Sequence, residues 1–186
     1  MGNLRSVAKA LEATGAVVCV TSDPDAIASA DRLCVPGQGI FGRCMTNLRD
    51  QGLGSTIREW IAADRPYLGI CLGMQVLFET SAEPSADNSA DNRAIDGLGI
   101  LPGAVTRLPE VVRVPHIGWN EVNGEHYYFD HSYAVHPADE TIVAGWCEHG
   151  ERFAASIATG SIFGVQFHPE KSAAAGLSLL KTWVSG

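Results

Sequence analysis

The feature that most constrains the fold is an alternation, along the first half of the chain, of short apolar runs with helical patterns. The runs of strand length are residues 16–20, 32–35 and 67–70. The helical patterns around them are residues 4–14, 24–30, 45–49, 57–63 and 72–80. Strands that are buried on both faces are continuous apolar runs, and parallel strands need helical crossovers. The alternation therefore predicts an α/β fold in which helices cover a parallel sheet.

The second half of the chain is richer in strand patterns and closes with a helix. Strand patterns occur near residues 111–115, 126–135, 141–147, 152–158 and 161–167, and an amphipathic helix is predicted over 173–183. Thr159-Gly160 has the composition of a hairpin turn. Residues 81–94 are small, polar and acidic, so we expect a solvated surface loop there and no domain linker. We therefore predict one domain over residues 1–186.

The composition argues against several classes of partner and compartment. The 13 Lys and Arg residues against 21 Asp and Glu give a net charge of −8, which argues against nucleic-acid and anionic-membrane partners. No apolar run approaches the roughly 20 residues that span a bilayer, and we expect no secretory signal. The five cysteines are odd in number and lack Cys-x-x-Cys spacing, which favours a reducing cytoplasm. No cluster has metal-ligand spacing, so we expect neither a metal nor a cofactor.

Residues 69–73 (GICLG) place a cysteine between two glycines, after a predicted strand and before a predicted helix. A nucleophile at a tight strand-to-helix turn has strained backbone angles, so its close neighbours must be glycine. The amino end of the helix favours a thiolate and directs backbone N–H groups toward a developing oxyanion. We therefore predict that Cys71 is a nucleophile; the alternative is a buried structural cysteine between two packing glycines.

A thiolate nucleophile needs a base and a group that orients the base, and residues 168–170 (HPE) contain both. They follow the predicted strand 161–167, and catalytic groups of a parallel sheet gather at the carboxyl ends of its strands. His168 is thus a candidate base and Glu170 its orienting carboxylate. The alternative is a surface histidine, and spacing alone does not distinguish His168 from the other histidines, at positions 116, 126, 131, 136 and 149.

Two motifs together resemble the class I, triad-type glutamine amidotransferases: residues 69–75 (GICLGMQ) and 164–170 (GVQFHPE). Four more segments are similar to the glutaminase subunits of imidazole glycerol phosphate synthase, from histidine biosynthesis. These are residues 2–7 (GNLRSV), 36–39 (PGQG), 115–120 (PHIGWN) and 128–133 (YFDHSY). The resemblance covers nearly the whole chain and implies a three-layer, flavodoxin-like sheet.

The resemblance also implies a role for each matching residue. Cys71 would be the nucleophile, His168 the general base and acid, and Glu170 the orienting carboxylate. Glutamine would be the substrate, and the residues that bind it or its oxyanion would be Gln75, Gly37, Gly39, Leu72, His131, Ser132 and Tyr133. The backbone of residues 37–39 would need a peptide rearrangement before it could donate to the oxyanion.

A partner follows from the same resemblance. The ammonia would pass to a separate (βα)8-barrel cyclase subunit, which makes imidazole glycerol phosphate and an aminoimidazole carboxamide ribotide. The positions that the family uses at that heterodimer interface are Asn3, Ser6, Trp119 and Lys171.

The sequence departs from the family pattern in three places. Members of the family begin with a strand that ends in a D-x-G-x-G-N type segment, and this sequence begins inside that segment, so we expect a sheet without the usual first strand. Loss of an interior strand would leave its neighbours unpaired. Gln38 and Asp130 replace less polar residues beside the expected site.

Other functions remain open at this point. The chain could be a stand-alone γ-glutamyl hydrolase, an amidotransferase subunit that serves another acceptor, or a non-catalytic binding subunit. Full activity without a partner would favour the first, and genomic neighbours outside the histidine pathway would favour the second. If the missing strand leaves the site unformed, the case for a non-catalytic binding subunit is weaker.

Overall fold

Residues 2–84 and 93–186 are described by a computed structural model of the protein. Its helices are α1 (Gly2–Glu12), α2 (Pro24–Ala28), α3 (Phe41–Asp50), α4 (Leu53–Ala62), α5 (Leu72–Gln75) and α6 (Ala173–Ser185). Its strands are β1 (Leu33–Gly37), β2 (Tyr67–Cys71), β3 (Phe78–Ser81), β4 (Ile95–Asp96), β5 (Leu101–Arg107), β6 (His116–Val122), β7 (Glu125–His131), β8 (Tyr133–Pro137), β9 (Val143–Glu148), β10 (Arg152–Thr159) and β11 (Ile162–Val165). In these two ranges, none of the helices is long and apolar enough to cross a membrane.

The central sheet confirms the predicted α/β class. Its strand order is β1-β2-β11-β10-β9, and β1, β2 and β11 are parallel. Strand β10 runs antiparallel to both of its neighbours, β11 and β9, and a hairpin at Gly160, whose φ is +53°, turns the chain from β10 into β11. The predicted turn at Thr159-Gly160 is therefore confirmed, and the sheet is mixed where a parallel one was expected.

The middle strand β2 is the centre of the packing. All its residues are buried, as expected for a continuous apolar run. Its side chains alternate between two hydrophobic clusters: Tyr67 packs with Phe41 and Trp60, whereas Leu68 and Ile70 pack on the opposite side. Because both faces of β2 are covered, its carboxyl end is the fixed point from which Cys71 projects.

Two smaller sheets cover the remaining edges of the fold. One has the order β4-β3-β5-β8, and the other is the two-stranded ribbon β6-β7. Residue Ser132 separates β7 from β8, so the single strand expected over 126–135 is two strands that belong to different sheets. The prediction of one domain over 1–186 stays a prediction.

The strand predicted over residues 16–20 is wrong. This segment has no regular secondary structure, and Val17 and Cys19 are both exposed. A strand needs a neighbour for its N–H and C=O groups. Among the described residues, β1 pairs only with β2, so the apolar pattern of residues 16–20 has no strand beside it.

Two other predicted elements differ from the structure. The helix expected over 72–80 is the single turn α5 followed by β3, because the carbonyls of Val76 and Leu77 accept hydrogen bonds from Leu98 and Ile100. The strand expected over 111–115 is a set of turns and bends, in which the Val111 side chain is 84% exposed and lacks cover. Strands β5 and β6 occur on either side of it.

The turn between β2 and α5 depends on a very close backbone contact. A Cβ placed on Gly73 would lie 1.7 Å from the carbonyl oxygen of Val35 in β1. A Cβ on Gly69 would lie 2.6 Å from the carbonyl oxygen of Gly73. The glycines of the 69–73 motif therefore allow α5 to lie directly against both parallel strands.

We expect Gly73→Ala to lower the melting temperature by at least 5 °C or to prevent folding, because overpacking against backbone costs roughly 1–3 kcal/mol or more. The measurement is thermal unfolding followed by circular dichroism. The matched control is Gly54→Ala in α4, where the nearest atom to the new Cβ lies at 3.4 Å. That helical position should be neutral or slightly stabilised. Equal melting temperatures for Gly73→Ala and the unchanged chain would contradict this account of the turn.

Candidate active site

Cys71 lies at the carboxyl end of β2 with a strained backbone. Its φ and ψ are +53° and −111°, values that residues other than glycine rarely adopt and that cluster at functional sites. In the register of the sheet it lies beside Gly37 of β1. Helix α5 begins at the next residue but has a single turn, so its macrodipole is small and its contribution comes from the free amides of that turn. The predicted strand–turn–helix geometry at Cys71 is thus present, with a shorter helix than expected.

His168 and Glu170 form a buried pair. Nδ1 of His168 lies 2.8 Å from Oε1 of Glu170, and the two side chains are 1% and 0% exposed. A carboxylate on Nδ1 fixes the imidazole tautomer and leaves Nε2 free to exchange a proton. Oε2 of Glu170 is buried and has no hydrogen-bond partner in the part of the chain that the structure describes. The carboxylate therefore depends on His168 for its stabilisation.

Electrostatics favour a protonated His168 at neutral pH. Burial by itself lowers the pKa of His168, but its hydrogen bonds with Cys71 and Glu170 outweigh burial and raise that pKa to about 9. A cationic imidazole beside a thiol favours the thiolate. His168 is therefore the cationic group of the site at neutral pH.

Burial raises the pKa of three thiols outside this site and so lowers their reactivity. Burial raises the pKa of Cys34 to about 12, with a further contribution from the charge of Glu170. Burial also raises the pKa of Cys147 to about 12 and that of Cys44 to about 11. At neutral pH these three thiols remain protonated, so they are poor nucleophiles.

A cavity of about 400 Å³ opens above the pair, a volume in the range of small-molecule sites. It brings together most of the residues expected at the site: Gly39, Cys71, Leu72, Gln75, His131, Ser132, Tyr133 and His168. Gln38 and Asp130, the two departures from the family pattern, also line it. Gly37 does not line the cavity, and a Cβ on it would be 2.5 Å from the Cβ of Leu72.

Part of the predicted interface set shares one face. Trp119, on β6, is 53% exposed, and its ring lies 6.2 Å from that of Tyr128 on β7. Nζ of Lys171 lies 5.4 Å from the same Tyr128 ring and 3.7 Å from Oδ2 of Asp130. Ser6 is exposed on α1, which contacts the turn that contains Lys171. The side chain of Asn3 falls outside the described residues.

Sequence reasoning missed two residues close to this site. Glu83, expected in a solvated loop, lines the cavity, and its Oε2 accepts a hydrogen bond of 2.8 Å from the backbone N–H of Phe41. Burial raises its pKa. Gln166 is fully buried, with Nε2 3.5 Å from Sγ of Cys71. The available signal for Gln166 was a polar residue within the predicted strand 161–167.

Ser172 and His116 were also missed. Oγ of Ser172 donates to the carbonyl oxygen of His168 at 2.6 Å and accepts from the backbone N–H of Tyr128 at 2.9 Å, which ties His168 to the β6-β7 ribbon. His116 is buried beside His131, with Nδ1 3.1 Å from Nε2 of His131. The hydrogen bonds between Ser172 and Tyr128 and between His116 and His131 join residues 44 and 15 positions apart, so local spacing gave no sign of them.

Burial keeps the imidazoles of His116 and His131 neutral. It lowers the pKa of His116 from 6.5 to about 4, with a further contribution from the charge of His149. It lowers the pKa of His131 from 6.5 to about 3, despite the opposing hydrogen bond to the Tyr133 carbonyl. In the unfolded chain both would take up protons near pH 6.5.

We expect the free energy of unfolding to fall as the pH drops from 6.5 toward 4, because the unfolded chain binds protons that the folded chain excludes. Each of these two histidines contributes a slope of up to about 1.4 kcal/mol per pH unit. His116→Phe should reduce that slope by up to about 1.4 kcal/mol per pH unit, the contribution of one proton. The measurement is urea unfolding between pH 7 and pH 4.5. His126→Phe, at an exposed position, is the control and should keep the full slope. An unchanged slope in His116→Phe would show that His116 does not titrate with unfolding.

The comparisons with known proteins agree with this geometry. The family model described as glutamine amidotransferase class I matches residues 2–184. A crystal structure of a glutamine amidotransferase superposes with a TM-score of 0.74 at 19% identity, covering 100% of this chain and 95% of that one. The glutaminase domain of a Trypanosoma brucei CTPS with bound acivicin gives 0.57 at 14% identity, covering 97% and 88%. At these identities the structures show the fold alone, whereas the family match shows that the chain is a class I glutamine amidotransferase.

Curated relatives narrow the family. Imidazole glycerol phosphate synthase subunit HisH of Aromatoleum aromaticum is 46% identical, with 100% of this chain and 94% of the relative covered. The HisH subunits of Moorella thermoacetica and Aquifex aeolicus are 45% and 46% identical, with 98% of this chain and 90% and 91% of those relatives covered. Within its class, the chain belongs to the HisH family.

Proposed function

We propose that the chain is the glutaminase subunit of an imidazole glycerol phosphate synthase, and that it hydrolyses glutamine to glutamate and ammonia at Cys71. The observation that supports this most directly is the buried His168–Glu170 pair behind a strained Cys71, at the base of a cavity of about 400 Å³. Membership of the HisH family supports the same function.

The reaction takes place in two steps, the formation of a thioester and its hydrolysis. The thiolate of Cys71 attacks the side-chain amide carbon of glutamine, His168 gives a proton to the departing nitrogen, and ammonia leaves a γ-glutamyl thioester. Water then adds to the thioester while His168 takes one of its protons. Glutamate leaves, and the thiolate–imidazolium pair is restored. Glu170 stabilises the imidazolium throughout and touches no substrate atom.

The walls of the cavity supply binding groups for each end of the substrate. The backbone N–H of Leu72, with the 37–39 segment after a peptide rearrangement, would stabilise the oxyanion. Gln75 and residues 131–133 would hold the glutamine. The carboxylate of Glu83, on the same wall, is placed to pair with the α-ammonium group of an amino acid.

The partner that we propose is a (βα)8-barrel cyclase, with which the chain forms a heterodimer. The relatives are named as subunits, and the exposed Trp119 and the adjacent Lys171 form a surface beside the active site. Ammonia released at Cys71 would pass across this surface to the cyclase, where the lyase step occurs. The net charge of −8 argues against nucleic acid and anionic membranes as partners, and five free thiols fit the cytoplasm.

We expect Cys71→Ala to abolish glutamine hydrolysis with an unchanged fold, because no other thiol at the site can form the thioester. His168→Asn should lose nearly as much, since residues that act as a unit are not additive. Glu170→Gln should be milder. The assay is glutamate release by the chain with its cyclase partner, and circular dichroism checks the fold.

The control for these variants is Cys19→Ser, at an exposed thiol, which should keep full activity. A γ-glutamyl-trapping inhibitor should label Cys71 alone, as mapped by mass spectrometry. Labelling of Cys34 or Cys147 would contradict the assignment. A folded Glu170→Gln chain as inactive as Cys71→Ala would require a different role for Glu170.

We expect glutamine hydrolysis to rise at least tenfold when the cyclase barrel is added, and Trp119→Ala to reduce that rise without loss of fold, because Trp119 is the large exposed aromatic of the proposed interface. Exposed Val111→Ala, on a different segment, should leave the rise unchanged. Full activity of the isolated chain would favour a stand-alone hydrolase. Activation by a different synthase would favour another acceptor.

A further inference from the structure

Two buried amide side chains lie directly beneath the sulfur of Cys71, and the reaction described above gives Gln166 no part. Gln166 is 0% exposed and Gln75 is 4% exposed. Nε2 of Gln166 lies 3.5 Å from Sγ of Cys71, and its Oε1 lies 2.9 Å from Nε2 of Gln75. Nε2 of Gln75 also lies 2.9 Å from the carbonyl oxygen of Tyr133. The three side chains and this carbonyl thus form one continuous hydrogen-bonded line.

The direction of every bond in this line follows from the Tyr133 carbonyl, which can only accept. The atom of Gln75 that faces it must therefore be the NH2 group. The second hydrogen of that group faces Gln166, so the atom of Gln166 that meets it must be the carbonyl oxygen. The NH2 group of Gln166 is then the one that faces the sulfur, and it donates to Cys71.

The same carbonyl orients a second line, through two histidines. Nδ1 of His131 lies 2.9 Å from the Tyr133 oxygen, so Nδ1 must hold the proton and Nε2 must accept. Nε2 accepts from Nδ1 of His116 at 3.1 Å, and Nε2 of His116 accepts from Nδ2 of Asn120 at 3.3 Å. Both imidazoles are neutral in this arrangement, which agrees with their lowered pKa values.

We propose that Gln166 is a positioning residue for the nucleophile: its side-chain N–H donates to the Cys71 sulfur, and Gln75 holds it in that orientation through the Tyr133 carbonyl. The proposal rests on the proposed function of Cys71. A hydrogen bond to the charged form of a group stabilises that form, so the donor favours the thiolate. The same bond restrains the sulfur, so the rotamer of Cys71 is fixed before substrate enters.

The same hydrogen bonds determine which atom of Gln75 can bind the substrate. Both hydrogens of its NH2 group are used, one by Tyr133 and one by Gln166. The group of Gln75 that remains for glutamine is its carbonyl oxygen, which accepts a hydrogen bond and cannot donate one. Gln75 would therefore bind an N–H group of the substrate.

The test compares Gln166→Glu and Gln166→Met with the unchanged residue, all in a Cys19→Ser background. Glu keeps the size and the acceptor for Gln75 but removes the donor and adds a negative charge; Met removes the donor alone. The rate of Cys71 alkylation by iodoacetamide is measured from pH 5 to 10 by peptide mass spectrometry. His168 titrates in all variants, so only differences between profiles are interpreted.

We expect the alkylation profile of Gln166→Met to move toward higher pH and that of Gln166→Glu to move further. The kcat for glutamine hydrolysis should fall roughly 10- to 100-fold, the usual effect of losing a hydrogen bond to a charged group, with KM changed far less. Gln51→Glu, at an exposed position, is the control and should match the unchanged chain.

A purely structural role for Gln166 would lower the melting temperature and leave the alkylation profile of the folded variant in place, which would overturn the proposal. If neither variant folds, the side-chain amide signals of Gln166 in the unchanged chain decide by NMR: they should shift on alkylation of Cys71, and constant signals would overturn it. The proposed function fails separately, if Cys71→Ala still hydrolyses glutamine.

Discussion

The position of Cys71 depends on one close approach of peptide backbone, between Gly73 at the start of α5 and Val35 in β1. A side chain at residue 73 would lie 1.7 Å from a carbonyl oxygen, so α5 can turn back over the sheet only with glycine there. The left-handed backbone of Cys71 results from that turn, and it directs the sulfur away from the strand and into the cavity. The strain is tolerated because β2 is buried on both faces by two separate hydrophobic clusters.

The electrostatic surroundings of Cys71 differ from those of the other buried thiols, although most of the five cysteines lie in or beside strands. Cys34 and Cys147 are surrounded by apolar atoms, and burial makes their thiolates costly. Cys71 is also buried, but its partner is His168, whose pKa is raised by Cys71 itself and by Glu170. Under the proposed function, the reactive sulfur is thus the buried one that has a cationic imidazole as its partner, and exposure does not single it out.

Local patterns predicted the parts of the site that lie within one segment. The motif at 69–73 places Cys71 at a strand-to-helix turn, as expected, although α5 is a single turn. The triplet at 168–170 was expected to stay extended, but His168 precedes a 3-10 helix over Pro169–Lys171, and this turn brings His168 and Glu170 into contact. The strand pattern of residues 16–20 failed because strand formation needs a neighbour, which local sequence does not describe. Glu83 and His116 were missed for the same reason: their partners, Phe41 and His131, are distant in sequence and become neighbours only in the folded chain.

The acceptor that orients both buried lines of side chains is the peptide oxygen of Tyr133, and a peptide oxygen is not encoded by the identity of its residue. No substitution at position 133 removes this oxygen. The tyrosine side chain can therefore change without changing the orientation of the amides of Gln75 and Gln166 or the tautomers of His116 and His131. Only a change of backbone chemistry, such as an ester in place of the amide that contains this carbonyl, would weaken the acceptor itself. The donor and acceptor directions of these hydrogen bonds are therefore set by the path of the backbone. A substitution at position 133 would leave them unchanged as long as the backbone keeps that path.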